Sequence, residues 1–215
     1  MMIKKRKVVW LLGSVLLLLA ASAFAQTDIT IGQVMGAPGR SATVQITGTG
    51  DDIAGVNFTI TYDSAVLSNP VVAIPTGALS EGFLLDQNVP QDGEVRAVIY
   101  PESAPIPTFT TGAGVIAEIT FDIAQGATQC TPSAVEWDLG TPTDPLTGVS
   151  DENGSSITGD YNFVTGQIQT TIPGDFNADG SVNLSDFTIL VAGWGVDYSL
   201  SDFTLLVANW NTSCP

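Results

Sequence analysis

Between positions 28 and 169 the apolar residues recur at every second position in short runs, and each run stops at Gly, Pro, Asn or Asp. No window in this stretch holds a helical period, so half-buried β-strands are the elements it can form. Ile29, Ile31 and Val34 mark a first strand, closed by Gly36-Ala37-Pro38-Gly39, and Val44 and Ile46 mark a second, closed by Gly48-Thr49-Gly50-Asp51. Val56-Asn57-Phe58-Thr59-Ile60-Thr61-Tyr62 alternates throughout and ends at Asp63. Further runs fall at 71–74, 94–100, 115–123, 134–137 and 161–169. The pattern predicts eight or nine antiparallel strands in a sandwich, with β-branched and aromatic residues inward and Thr, Asn and Gln outward. Tyr62 and Phe121, which end apolar alternations, are expected in the core.

Charge narrows what such a sandwich can bind. The 215 residues carry six Lys and Arg against 22 Asp and Glu, a formal charge of −16, and no His. Four of the six cations are Lys4, Lys5, Arg6 and Lys7, which leaves Arg40 and Arg96 for everything after them. Nucleic acid and anionic membrane surfaces need Lys and Arg to replace their counterions, so neither is an expected partner. Without His, imidazole-based nucleophilic catalysis and most transition-metal sites are excluded. Hard-cation chemistry, carboxylate chemistry and pure binding remain.

The basic cluster precedes an apolar run over 8–21 and then Ala23-Phe24-Ala25, the arrangement of a secretory signal cleaved before Gln26. The competing reading, an uncleaved anchor, needs about 18 to 20 apolar residues, which this run barely reaches. No later segment approaches that length, so no membrane span is expected after cleavage, and the chain is expected to be secreted or at the cell surface. Export permits a disulfide between the two cysteines, Cys130 and Cys214; free thiols or a bond between chains are the alternatives.

At Thr170-Thr171-Ile172-Pro173-Gly174 the composition shifts, which reads as a brief linker between residues 26–171 and 172–215. Counted from Asp175, oxygen-bearing side chains then fall at positions one, three, five, nine and twelve, with Gly180 at six and Ser181 at seven. This is the spacing of a calcium loop: alternate residues point at a hard cation, Gly makes the sharp turn, and the last carboxylate closes the shell. Asp186 stands at position twelve, where the parent pattern has Glu. Asn183 is placed to cap a following helix, and Phe187, Leu190, Val191 and Trp194 form an apolar stripe ended by Gly195. The segment repeats sixteen residues later, Ser185-Asp186-Phe187-Thr188-Ile189-Leu190-Val191-Ala192-Gly193-Trp194 against Ser201-Asp202-Phe203-Thr204-Leu205-Leu206-Val207-Ala208-Asn209-Trp210. The two stripes are expected to pack on each other as a small αα-hairpin, with Ser199 and Asp202 capping the second helix.

Two resemblances follow. The strand-turn Phe58-Thr59-Ile60-Thr61-Tyr62-Asp63-Ser64-Ala65-Val66-Leu67 and the strand Gly114-Val115-Ile116-Ala117-Glu118-Ile119-Thr120-Phe121 resemble cohesin domains. The opening Ile31-Gly32-Gln33-Val34 with Pro38-Gly39 and Val44 fits the first two cohesin strands. The resemblance implies a mainly β fold, a nine-stranded flattened jelly-roll sandwich that binds dockerin modules on one sheet face. Asn57, Thr59 and Thr61, with the strand around Arg96 and Ile99, are the candidate contacts.

The calcium loop with its duplicated helix resembles a type I dockerin. Carried over by motif position, Asp175, Asn177, Asp179, Ser181, Asn183 and Asp186 become calcium ligands, and Leu184, Ser185, Val191 and Ala192 become cohesin contacts. The second repeat keeps its helix and lacks its loop, because Val196-Asp197-Tyr198-Ser199 cannot supply the oxygens, so one calcium ion is expected. Together the resemblances imply a non-catalytic adaptor in polysaccharide degradation, with dockerin-bearing, cohesin-bearing and glycoside hydrolase partners. The alternative is a carbohydrate-binding or surface-adhesion module, which normally uses a row of aromatics; Tyr62, Tyr100, Trp137 and Tyr161 form none in the sequence. Glu94, Glu102 and Glu118 could pair as catalytic acids, but in a chain this acidic they read as surface.

Overall fold

The computed structural model describes residues 26–102 and 105–215, so the signal segment read at 1–25 lies outside the described residues. The strands in chain order are β1 (Thr27–Ile31), β2 (Gln33–Gly36), β3 (Ser41–Thr49), β4 (Gly55–Tyr62), β5 (Leu67–Ala73), β6 (Leu84–Gln91), β7 (Glu94–Tyr100), β8 (Ala113–Ile123), β9 (Pro132–Trp137), β10 (Gly140–Thr141), β11 (Asp144–Pro145), β12 (Gly148–Ser150), β13 (Tyr161–Val164) and β14 (Gly166–Thr170). Two nine-residue helices follow, α1 (Leu184–Ala192) and α2 (Leu200–Ala208). One sheet runs β13-β1-β3-β8-β5; the other runs β2-β14-β9-β4-β7-β6, with β12 extending the pairing of β4.

The alternation read from the sequence is what builds the core. Ile29, Ile31, Val44, Ile46, Ile119 and Phe121 point inward from the first sheet, and meet Phe58, Ile60, Val95, Ile99, Val135 and Trp137 from the second. Phe121 is fully buried and Tyr62 is half-buried against it, the rings 5.0 Å apart and edge-on. Both expected core positions are thus in the core or at its margin.

The strands are more divided than the expected nine. The first and last runs each change sheets: β1 pairs parallel with β13, and after Gly32 the chain continues as β2, which pairs parallel with β14. A Cβ on Gly166 would lie 2.6 Å from the Ile31 side chain, so a glycine is needed where the two crossing strands touch. The strand holding Trp137 is interrupted as well. Trp137 pairs with Ile60 and Gly148 with Asn57 on the same side of β4, while the residues between leave as the small β10–β11 hairpin. Strand β6, nearly all exposed at a sheet edge, carries too few alternating apolar residues to be seen in the sequence.

The C-terminal part differs from its expectation in the packing of the helices. Ile172, Val182, Leu190 and Leu206 are its buried apolar cluster, bordered by Phe176, Tyr198 and Phe203. Of the stripe Phe187, Leu190, Val191 and Trp194, only Leu190 is buried. Helix α1 stops at Gly193 rather than Gly195, so Trp194 lies beyond it, and Leu190 is buried together with Leu206 of α2 and with Ile172 and Val182, which lie outside both helices. Gly193 is required there because a Cβ would come 2.7 Å from the Tyr198 ring. Asn183 caps α1 as expected, its side chain accepting from Ser185 N at 2.8 Å. The segment read as a linker is packed, not free: Thr170, Thr171, Ile172 and Gly174 are buried. No helix among the described residues is long and apolar enough to cross a membrane.

Candidate protein-binding face and metal loop

Strands β4, β7 and β6 carry the outer face on which partner contacts were expected. Residues paired across strands share a face, which groups Thr61 with Glu94, Thr59 with Arg96 and Asn88, and Asn57 with Val98 and Asp86. Asn57 is exposed and Thr61 half-exposed. Thr59 is not an open contact position. It is only 2% exposed, because the chain returning from the β10–β11 hairpin lies over it. The Thr59 hydroxyl donates to Leu146 O at 3.2 Å, Thr59 N donates to Thr147 Oγ1 at 3.1 Å, and Asn57 Nδ2 donates to Leu146 O at 3.2 Å. The open part of the face therefore lies toward β7 and β6, where exposed Val98 follows Arg96 on β7 and exposed Leu84 lies farther along, opposite Tyr100. Arg96 is held by Glu94, whose carboxylate is buried and takes the Arg96 Nε at 2.5 Å. Glu94 thus has a structural partner, and it lies on the opposite sheet from Glu118, so the two do not form a catalytic pair.

The six residues read as calcium ligands line one loop. Asp175 and Asp186 are buried at its centre, and Asn177 Nδ2 donates to Asp179 Oδ2 at 2.8 Å on its rim. Asp175 accepts from Asp179 N and Gly180 N, at 3.1 and 2.8 Å. Asp186 accepts from Phe176 N and Asn177 N through Oδ1, and from Asn183 N through Oδ2. Asp179 Oδ1 accepts from Ser181 N. Burial pushes the Asp175 carboxyl above its ordinary range, and the Asp186 charge adds to this, against the downward pull of the Gly180 and Asp179 amides. Among the described residues no three carboxylate, imidazole or thiol groups converge on one point. Asp175 and Asp186, with Asn177 Oδ1, Asp179 and Asn183 Oδ1, form an all-oxygen set of the type a hard cation takes, and in this structure those oxygens accept from backbone N–H groups.

The contact positions carried over to the helices are all on the surface. Leu184 and Val191 are 67% and 54% exposed, and Ser185 and Ala192 are exposed with them. Leu200 and Val207 stand in the equivalent places of α2 and are exposed too. Trp194 and Trp210 add half-exposed indoles beyond the helix ends.

A seam joins this part to the sandwich. Cys130 and Cys214, 84 positions apart in sequence, form a disulfide with Cα atoms 5.4 Å apart, which resolves the alternatives left open by the sequence. Cys214 N donates to Gly180 O at 2.7 Å, so the bond ends beside the metal loop, and Thr171 N donates to Gly36 O at 2.9 Å. Arg40, which the sequence reading passed over, crosses the seam: its Nη2 donates to Asp202 Oδ1 at 2.6 Å, and its guanidinium lies over the rings of Tyr198 and Phe176, 4.7 and 5.5 Å from their centroids. The available signal was its rarity, since outside the N-terminal cluster it is one of two cations.

The described residues thus form a two-sheet sandwich whose terminal strands change sheets, followed by a small helical part. The cohesin family model matches residues 27–158, and the chain belongs to that family; a cohesin domain is a non-catalytic protein-interaction module. Among solved structures it is similar to the sixth cohesin of scaffoldin B from Acetivibrio cellulolyticus, in complex with a Cel5 dockerin. The TM-score is 0.56 and the identity 20%, over 67% of this chain and 99% of that one. It is also similar to a type I cohesin–dockerin complex from Clostridium thermocellum, with a TM-score of 0.52 and 18% identity over 67% and 99%. A non-cellulosomal cohesin from the archaeon Archaeoglobus fulgidus has a TM-score of 0.51 and 15% identity over 68% and 92%. At these identities the likeness speaks for the fold. A search of curated proteins found no match.

Proposed function

We propose that this protein is an exported, non-catalytic adaptor: its cohesin sandwich receives a dockerin-bearing partner, and its C-terminal module docks through calcium into a cohesin on another protein. The observation that carries this is the pairing, on one chain, of a cohesin domain with an oxygen-lined loop and two exposed helix faces. Solved cohesins of this fold are complexed with dockerins. Polysaccharide-degrading enzymes are the proposed partners. Asp175, Asn177, Asp179, Ser181, Asn183 and Asp186 would hold one calcium ion, which supplies positive charge that relieves the repulsion of the buried carboxylates. Both parts of the chain are acidic, so like charge slows self-association and favours partners of other kinds.

Titration calorimetry with a panel of dockerin- and cohesin-bearing proteins tests this reading. One calcium per chain, lost in Asp175→Ala, and complexes with cohesins that dissolve in chelator are the expected results. Absence of binding to every member, with and without calcium, would overturn the adaptor role. The half-exposed Trp194 and Trp210 favour one second reading, a carbohydrate-binding or adhesion module; retention on insoluble polysaccharide, abolished by their replacement with Ala, is its signature.

A further inference from the structure

The sixteen-residue repeat places Asp202 where Asp186 stands in the first copy, and the two carboxylates do the same work with one oxygen and different work with the other. In the first copy Asp186 Oδ2 accepts from Asn183 N, at the helix cap, while Oδ1 turns to the metal loop and accepts from Phe176 N and Asn177 N. In the second copy Asp202 Oδ2 accepts from Ser199 N, the equivalent cap position, at 2.8 Å. The loop that its other oxygen would face is missing. Arg40 is there instead, with Nη2 2.6 Å from Asp202 Oδ1.

We propose that Arg40 serves the second repeat as a calcium ion would serve the first: a cation supplied by the sandwich that neutralises the closing carboxylate of a repeat with no metal loop, and clamps the module in place. The delivery is built into the fold. The chain turns at Ala37-Pro38-Gly39, with Arg40 N donating to Ala37 O and Gly39 at φ 78°, a value glycine adopts without cost. This sets Arg40 at the end of the turn, facing a cleft of about 250 Å³ between Pro38, Gly174, Ser201 and Leu205. The guanidinium is weakly hydrated and flat, so it can stack while its edge forms a charge-assisted hydrogen bond. Here it stacks on Phe176, at position two of the metal loop, and on Tyr198, just before the α2 cap. Those two rings are themselves 4.6 Å apart. One side chain of the sandwich therefore touches both repeats. A metal in that place would touch the module alone; the arginine also ties it to the sandwich.

The comparison with calcium rests on the proposed reading of the first loop, whereas the clamp itself does not, and the experiment separates them. A double-mutant cycle of Arg40→Gln and Asp202→Asn in the full chain is read by the unfolding transition of the module, with and without calcium, alongside calcium stoichiometry by calorimetry. Each single variant is expected to lower the module's folding equilibrium constant by about fivefold, and the double variant no further than the more damaging single one. The coupling is expected to persist in chelator, and Arg40→Lys, which keeps the charge but not the flat stacking surface, to recover only part of the loss. Additive effects, or a second calcium bound by the wild type, overturn the proposal. If the cycle couples while no calcium binds, the clamp stands and the first-loop reading fails; if one calcium binds and the cycle is additive, the reverse holds.

Discussion

The sandwich and the C-terminal module face the same requirement with very different means. Among the described residues the sandwich buries a continuous cluster of 26 side chains, Phe58, Phe109 and Phe121 among them, between two sheets. The module's own buried cluster has four, Ile172, Val182, Leu190 and Leu206. A unit of that size rarely holds itself together by apolar burial alone, and small domains are usually completed by disulfides or metal. This module has a disulfide to the sandwich and a cation from it, supports that come from outside its own core, and the calcium proposed for its loop would be a third. The sandwich is self-sufficient, and the module is held.

Removing the disulfide breaks this comparison most directly. In the chain-entropy model, opening a loop closed across 84 positions costs roughly 4–5 kcal/mol. Cys130→Ser with Cys214→Ser is expected to shift the module's thermal transition down by many degrees while the far-ultraviolet β signal of the sandwich survives. A single shared transition in both proteins would show that the two parts are one cooperative unit.

Core truncations sharpen it. Phe58→Ala removes a fully buried ring that meets Trp137 edge-on, and is expected to cost about 3–5 kcal/mol. Because the module is anchored to the sandwich, both parts should lose stability. Leu190→Ala, at about 2–4 kcal/mol, should unfold the module and leave the sandwich transition in place. Denaturant curves followed by tryptophan fluorescence and by circular dichroism would separate the two outcomes.

The same contrast governs what the sequence could reveal. The sandwich was legible because alternation is a local signal: Ile60 and Phe121 follow from their neighbours alone. Local signals fail where a partner decides. Gly32 looks like one residue in a continuous strand, and only the sheet crossing against Gly166 shows why the run divides. Thr59 has the polarity of an outward position, and it does point outward, but the chain from Asp138 to Thr147 covers it. In the module the periodicity of α1 identified the helix but only part of its packing: Leu190 clusters with Leu206 of α2 and with Ile172 and Val182, while Phe187 and Val191 stay exposed. The loop at 175–186 stood out because its spacing of oxygen-bearing residues is itself a local pattern, and the structure folds those residues into one hydrogen-bonded loop. Arg40 carries no pattern around it at all, and its role appears only when residues 162 positions apart meet.

The smallest expected effect concerns the Arg40–Asp202 pair and acid. Burial works to raise the Asp202 pKa, but the hydrogen bonds from Ser199 and the charge of Arg40 outweigh it, and the carboxyl lies below its ordinary range. A carboxylate whose pKa is lower folded than unfolded adds stability that is complete above the unfolded value and is lost as pH falls through the folded one. The module of the wild type should therefore exceed that of Asp202→Asn in stability at neutral pH, and the two unfolding curves should converge on acidification. Both side chains are partly solvent-exposed, 36% for Arg40 and 20% for Asp202, so added salt should narrow the neutral-pH difference as well. A difference that instead survives below the carboxylate range would show that the loss in Asp202→Asn does not come from removing the charge. The two uses of that one side chain can be told apart in this way because an asparagine can still accept from Ser199 N but cannot answer a guanidinium with a full charge.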